Sequence, residues 1–462
     1  MKLLRGIKTS GGVLTTMLYT ICHLFNNCHV NAQICFSPAT NFPVGTYAQS
    51  IISADFNKDG IIDLATANST LYGTVSILSG NGDGSFSLAN NFAVGSFSST
   101  VISYDFNNDG NLDLATANNG SYNVSILLGN GYGNFSSIAS CAYGIDHISV
   151  TSADFNNDGK LDLATANNYD DNISVLFGNG NGGFGTLTNY AVGIYPRSII
   201  NADFNQDGNI DLAVTNSNSS NISVLTGTDT GIFSSATNFS VGWYPYSLIS
   251  DDFNRDGKID LVVGNNASNN ITVLFGNDSG CFVFDTTYIV GSGPSSVTSA
   301  DFNNDEYVDL AIANKYSDNV SILLGNESGI FISAGNFSVE SEPWSITCAD
   351  YNGDEKTDIA VTSHYPGSVS ILLNCTESGI ESYSNEKSIS IYPNPTNGKF
   401  IIETLDLRNV KIQFFDLNGS LILTKYTKGR TEIDATSLKE GIYNLTIKSI
   451  IFVENIKLVI IK

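Results

Sequence analysis

The chain has 462 residues, enough for two or three domains or for one large repeat array with an appendage. Its 43 glycines, 21 tyrosines and 26 phenylalanines suit short strands and tight turns better than helices. Residues 33–384 carry 37 acidic against 7 basic side chains, a charge of −30, and so acidic a body excludes nucleic acid, whose phosphates need basic patches.

At the N-terminus Lys2, Arg5 and Lys8 precede a short, mostly apolar run from Val13 to Phe25 and then Val30-Asn31-Ala32. This is the pattern of a secretory signal peptide over residues 1–32, with the mature chain starting at Gln33 and Cys22 and Cys28 lost with the signal. The run is too short to span a bilayer comfortably. No transmembrane segment is expected in the mature chain, which is secreted or attached to the outer cell surface.

A repeat follows. The string Asp-x-Asn-x-Asp recurs starting at Asp55, Asp105, Asp154, Asp203, Asp252, Asp301 and Asp350, at spacings of 50 and then 49 residues. Around each copy the same segments return: an apolar run such as SIISAD, the acidic loop, DLATAN, a polar loop, VSILLGN, a Gly-rich turn and a stretch like ATNFSVG. Short β-branched runs bounded by Gly, Asn and Asp read as strands, and four strands in a repeat of about 40–50 residues match a propeller blade. A stacked solenoid has the same period, so ring closure has to be argued from the chain ends. The seventh repeat stops at Asn374 without a fourth strand, and the missing piece lies at the other end, where residues 36–45 match 233–242. Cys35 and Cys375 fall at the two ends of the turn that this interruption removes, so a Cys35–Cys375 disulfide is expected to seal the ring. Cys141, Cys281 and Cys348 are expected to be packing residues.

Each acidic loop presents oxygen-bearing side chains at positions 1, 3, 5 and 9, a backbone carbonyl at position 7 and, in five of the seven, Gly at position 6 for a sharp turn. That is the donor set of a hard cation, Ca²⁺ before Mg²⁺. The expected ligands are Asp55, Asn57, Asp59, Ile61 and Asp63 in the first loop and Asp105, Asn107, Asp109, Asn111 and Asp113 in the second. Asp154, Asn156, Asp158, Lys160 and Asp162 form the third set, and Asp203, Asn205, Asp207, Asn209 and Asp211 the fourth. Asp252, Asn254, Asp256, Lys258 and Asp260 follow, then Asp301, Asn303, Asp305, Tyr307 and Asp309, and finally Asp350, Asn352, Asp354, Lys356 and Asp358. Up to seven structural Ca²⁺ ions are implied. Glu306 and Glu355 replace the turn glycine in the last two loops, so weaker or strained sites are expected there.

Through ADFNNDGKLDLATAN and its six relatives, residues 36–375 resemble the FG-GAP/VCBS repeat family. The resemblance implies a propeller with calcium loops like those of integrin α chains and bacterial surface proteins, and it implies no particular ligand. After a polar linker over 376–388, residues 389–462 open with Tyr392-Pro393-Asn394-Pro395 and continue through Gly441-Ile442-Tyr443, with alternating apolar positions and NG turns that indicate a small β-sandwich. They resemble the C-terminal sorting domain of the type IX secretion system, which implies the type IX secretion machinery as a partner. A carbohydrate-binding sandwich is the competing reading. The fold expected is therefore all-β: a seven-bladed β-propeller over 33–375, then the sandwich.

Strand order puts the acidic loops and Gly-rich turns on one face of the ring. The opposite face gathers the inter-blade loops, to which we assign Tyr47, Tyr195, Arg197, Trp243, Tyr244, Tyr246 and Trp344 as the candidate ligand-binding set. Aromatic platforms with amide donors suit a glycan or a surface or matrix protein. The leading reading is thus adhesion or recognition, with a polysaccharide-degrading enzyme and a structural surface-layer component as alternatives. No nucleophile elbow or zinc motif supports catalysis, so no enzyme is expected; Arg197 with His147 is the only pair worth naming for a lyase, and acidic residues beyond the loops, such as Asp170 and Asp171, could form a carboxylate pair that nothing in the sequence positions.

Overall fold

The computed structural model describes residues 34–142, 147–376, 389–404, 410–416, 421–427, 430–448 and 453–461. The signal-peptide expectation for residues 1–32 lies outside them. The chain divides into two compact units, Met1–Gly379 and Ile380–Lys462.

The first unit is built from seven four-stranded antiparallel sheets. Their innermost strands are Ala48–Ala54, Ser98–Tyr104, His147–Ala153, Pro196–Ala202, Pro245–Asp251, Pro294–Ala300 and Pro343–Ala349. The first of these packs against both the second and the seventh, so the array closes into a ring and is not a stacked solenoid. The seventh sheet takes its outer strand from the N-terminal end, with Thr40–Pro43 pairing antiparallel to Ser368–Leu372. A Cys35–Cys375 disulfide, with Cα atoms 4.9 Å apart, lies beside this seam, and the Cys375 N–H donates to the Cys35 carbonyl at 2.9 Å.

The core lies between blades. The DLATAN-type strands are buried at all six positions, which is why they read as continuous apolar runs without alternation. An aromatic at the second position of each acidic loop meets, edge to face, the Phe of the neighbouring blade's Gly-rich turn, as in Phe56–Phe135 and Phe155–Phe233. Phe302–Phe36 and Tyr351–Phe86 carry the same contact across the seam. Because each innermost strand is a sheet edge, its outward N–H groups need partners. Serine hydroxyls at the third strand position supply them from the preceding blade: Ser50 accepts from Val101, Ser149 from Ile199, Ser247 from Val297, Ser296 from Ile346, and Ser345 from Ile51 to close the circle.

The second unit pairs a three-stranded sheet (Ile389–Tyr392, Lys399–Thr404, Arg430–Asp434) with a four-stranded one (Val410–Phe415, Leu421–Thr427, Gly441–Lys448, Val453–Ile460). Phe400, Ile402, Ile412, Phe414, Leu445 and Leu458 are among the residues of its single core, as a β-sandwich requires.

Candidate functional site

The two faces of the ring carry different chemistry. On one, the first acidic loop is curled by its own side chains. Asp55 accepts from the N–H groups of Asp59 (3.2 Å) and Gly60 (2.9 Å), Asn57 from Asp59 (2.9 Å), and Asp59 from Ile61 (2.8 Å). The curl needs left-handed backbone at positions four and six, with φ 62° at Lys58 and 85° at Gly60. Position four is left-handed in all seven loops, a requirement signalled in the sequence by asparagines at Asn108, Asn157 and Asn304 and not recognised there. Glu306 and Glu355 adopt the glycine conformation at position six, with φ 70° and 64°, at a backbone cost of about 1 kcal/mol each.

Position nine behaves differently. Asp63 is wholly buried at the start of the second strand, and its two oxygens accept from the N–H groups of Phe56 (3.1 Å) and Gly80 (2.9 Å). Its six equivalents are buried in the same way. Burial pushes six of the seven carboxyls up to about 6, and Asp309 to about 7, against hydrogen bonds that hold them down; the acidic groups at positions one and five add repulsion. Each loop is therefore an all-oxygen set short of positive charge, and its donor chemistry fits a hard divalent cation. Among the described residues, no three His, Cys, Asp or Glu side chains converge on one point; the loop oxygens accept from the loop's own amides.

The opposite face opens onto the axis. A pocket of about 160 Å³ is lined there by the second and third residues of the innermost strands, and it is asymmetric. Blades four, five and seven contribute Arg197, Tyr246 and Trp344, where blades two and six contribute Ser99 and Ser295. The Arg197 guanidinium sits 3.4 Å from the centre of the Tyr246 ring. Tyr246 meets Trp344 edge-on at 6.1 Å, Trp344 stacks on His364 at 4.7 Å, and His364 contacts Tyr47 at 4.9 Å. Lys315 Nζ lies 4.2 Å from the Trp344 ring centre and 4.0 Å from Glu342, whose carboxylate also lies 3.4 Å from His364 Nδ1. Burial lowers the pKa of Lys315, the nearby Glu342 charge raises it and that of Arg197 lowers it. On the rim Tyr195 packs on Tyr169 at 5.3 Å, and its phenol is pushed up to about 12, chiefly by the hydrogen bond to Tyr169.

The residue before each described innermost strand is left-handed: Tyr47 (φ 59°), Phe97 (54°), Tyr195 (64°), Tyr244 (58°), Gly293 (69°) and Glu342 (53°). Glycine fits such a position without strain, as Gly293 does, yet four of the six are aromatic. Bulky side chains held in this region mark places where the side chain itself has a use.

Comparison with known families gives the same organisation. The FG-GAP-like repeat matches residues 55–116, 105–165, 203–263, 252–312 and 301–361, together more than half of the chain, and the FG-GAP repeat matches 148–188. The chain belongs to the FG-GAP-like repeat family. Residues 390–462 match the secretion system C-terminal sorting domain, so the protein is exported by type IX secretion to the cell surface or the extracellular space. No helix among the described residues is long and apolar enough to cross a membrane. No curated protein matches the chain. Among solved structures, BBS1N in complex with ARL6DN is similar at 13% identity, covering 73% of this chain and 96% of that one with a TM-score of 0.54. A protein from Lactobacillus plantarum is similar at 14% identity, covering 66% and 88% with a TM-score of 0.51. At such identities these likenesses carry the propeller fold alone.

Several residues of this FG-GAP propeller lie elsewhere than the sequence suggests. Arg197, Tyr246 and Trp344 are not in inter-blade loops but second in the innermost strands, because each strand begins one residue earlier, at proline. Tyr47, Tyr195, Trp243 and Tyr244 do lie in the loops, and Trp243 is 72% exposed. His147 does not join Arg197 in the pocket, which blade three lines with Ile148 and Ser149; its buried ring bonds Asn167 through Nδ1 at 2.7 Å. Asp171 accepts from the Tyr195 N–H at 2.8 Å. Cys281 is exposed and not a packing residue: it occupies the turn position of Cys35, but its opposite number is Asn277 and offers no thiol. Cys348 is half-buried beside the core between blades six and seven, whereas the Cys141 side chain lies outside the description. Sequence reading did not single out Lys315 and Glu342.

Proposed function

We propose that this exported FG-GAP propeller is a recognition module that holds its ligand at the axial mouth opposite the acidic loops, and that it is not an enzyme. The observation that carries this reading is the continuous crescent of Tyr195, Arg197, Tyr244, Tyr246, Lys315, Trp344, His364 and Tyr47, which runs over blades four to seven and into blade one. Aromatic faces beside fixed polar groups recognise saccharides or partner side chains, and this crescent contains no base aligned with a nucleophile.

In the same reading Ca²⁺ is the structural ion of the loops on the other face. Asp, Asn and Asp at positions one, three and five would hold it with the buried Asp at position nine, and the ion would supply the positive charge that this carboxylate lacks. Its part is to brace the strand pairs that carry the mouth.

A glycan and matrix-protein array probed with the calcium-loaded protein tests the proposal. A hit is expected that falls at least about tenfold in Trp344→Ala and Tyr246→Ala, as for aromatic anchors at the centre of a binding site. Binding that survives both substitutions would move recognition to another surface. New reducing ends on incubation with a polysaccharide would overturn the non-enzymatic reading.

A further inference from the structure

Residues 33–384 hold seven basic side chains in all. Five of them, Lys58, Lys160, Arg255, Lys258 and Lys356, lie in the acidic loops at the fourth or seventh position, among carboxylates. The other two, Arg197 and Lys315, are both at the axial mouth on the opposite face. Among the described residues no carboxylate lies within ion-pair distance of Arg197, whose half-buried guanidinium rests on the Tyr246 ring. Lys315 has one carboxylate, Glu342, at 4.0 Å, and shares it with His364. Arg197 on the Tyr246 ring and Lys315 on the adjoining Trp344 ring are thus two neighbouring cations with one carboxylate between them, and Lys315 shares it with His364, in a segment (33–384) of net charge −30. Half-buried charge without a partner is unfavourable, and a bound anion relieves it.

The mouth also sets the shape of that anion. A pocket of 160 Å³ is too small for a whole oligosaccharide, whose sites need about 300 Å³ or more, and is large enough for one acid group. Its wall is mostly serine and threonine with Ile148 as the one aliphatic side chain, so an apolar peptide side chain finds little to bury against. Hydroxyls below and aromatic faces above suit a pyranose ring.

Building on the recognition reading, we propose that the ligand is an acidic sugar, whose carboxylate or sulfate enters the axial pocket onto Arg197 with Lys315 alongside while its ring lies against the aromatic rim.

Calorimetric titration of the full calcium-loaded chain with hexagalacturonate, its fully methylated ester and a sulfated galactose hexasaccharide tests this. At least one acidic probe is expected to bind, which of the two identifying the acid, and the ester is expected to bind about 10–100-fold more weakly than the galacturonate, the usual worth of hydrogen bonds to a charged group. Arg197→Gln is expected to lose a similar factor at an unchanged melting temperature, and Arg197→Lys to keep part of it. The comparison of acid with ester uses the unaltered protein and does not depend on how a variant folds. Equal affinity for acid and ester, lost in Trp344→Ala, would overturn the acid preference and leave the recognition site standing. Binding of an Asp- and Glu-rich peptide in place of every saccharide would overturn the sugar. Failure of all of these probes to bind would overturn the acidic-sugar proposal alone, since the recognition reading stands or falls on the array.

Discussion

Removing the bridge at the seam, as in the Cys35→Ser, Cys375→Ser double variant, tests how the ring is held closed. The bridge spans a sequence separation of 340 residues, which encloses nearly the whole propeller. In the chain-entropy treatment, closing a loop of that length removes about 6 kcal/mol of unfolded-state freedom at 25 °C. With a guanidinium slope of about 6 kcal/mol per M for a unit of this size, the unfolding midpoint is expected to fall by about 1 M. Both tryptophans, Trp243 and Trp344, lie in the propeller and report its unfolding by fluorescence. Dithiothreitol is expected to reproduce the shift in the unaltered protein and to leave the variant unchanged. A shift below about 0.2 M in non-reduced protein would refute the reasoning. The seam would then be held by the pairing of Thr40–Pro43 with the third strand and by the Phe36–Phe302 and Phe86–Tyr351 contacts.

The acidic loops give three more expectations. Removing Ca²⁺ is expected to lower the melting temperature, since a ligand at 100 times its dissociation constant adds about 2.7 kcal/mol per site; an unchanged melt in chelator would exclude bound calcium. In metal-free protein, Asp63 and its equivalents have folded pKa values raised from 3.8 to about 6, so they favour folding while protonated. That contribution is complete below pH 4, is lost as the pH rises through 6 to 7, and amounts to at most about 3 kcal/mol per group. Metal-free protein is therefore expected to melt higher at pH 5 than at pH 8, and a profile that rises with pH would contradict the assignment. Glu306→Gly is expected to stabilise metal-free protein by about 0.5–1 kcal/mol in a denaturant titration, because glycine takes φ 70° without strain. Loss of stability there would mean that the Glu306 side chain makes a contact of its own.

What the sequence determined by itself was periodic. Seven copies of one motif at spacings of 49 or 50 residues define seven four-stranded sheets of one pattern, because each copy carries its own strand pattern and its own turn residues. The unfinished seventh repeat, with its complement at residues 36–45, made the seam legible, since a strand missing at one end and present at the other has one economical pairing. Arg197, Tyr246 and Trp344 were legible as candidates because they are aromatic or basic side chains in the segments between blades, although their places as second residues of the innermost strands were not. Lys315 and Glu342 were not: Lys315 follows the second strand of blade six and Glu342 precedes the innermost strand of blade seven, and only the curvature of the ring brings them together at Trp344 and His364. The fate of His147 was likewise tertiary, because a shift of one residue along an innermost strand separates the channel wall from the interior between blades. Local pattern states what each blade is. Which side chains from different blades share one mouth depends on closing the ring, and closure acts between residues hundreds of positions apart.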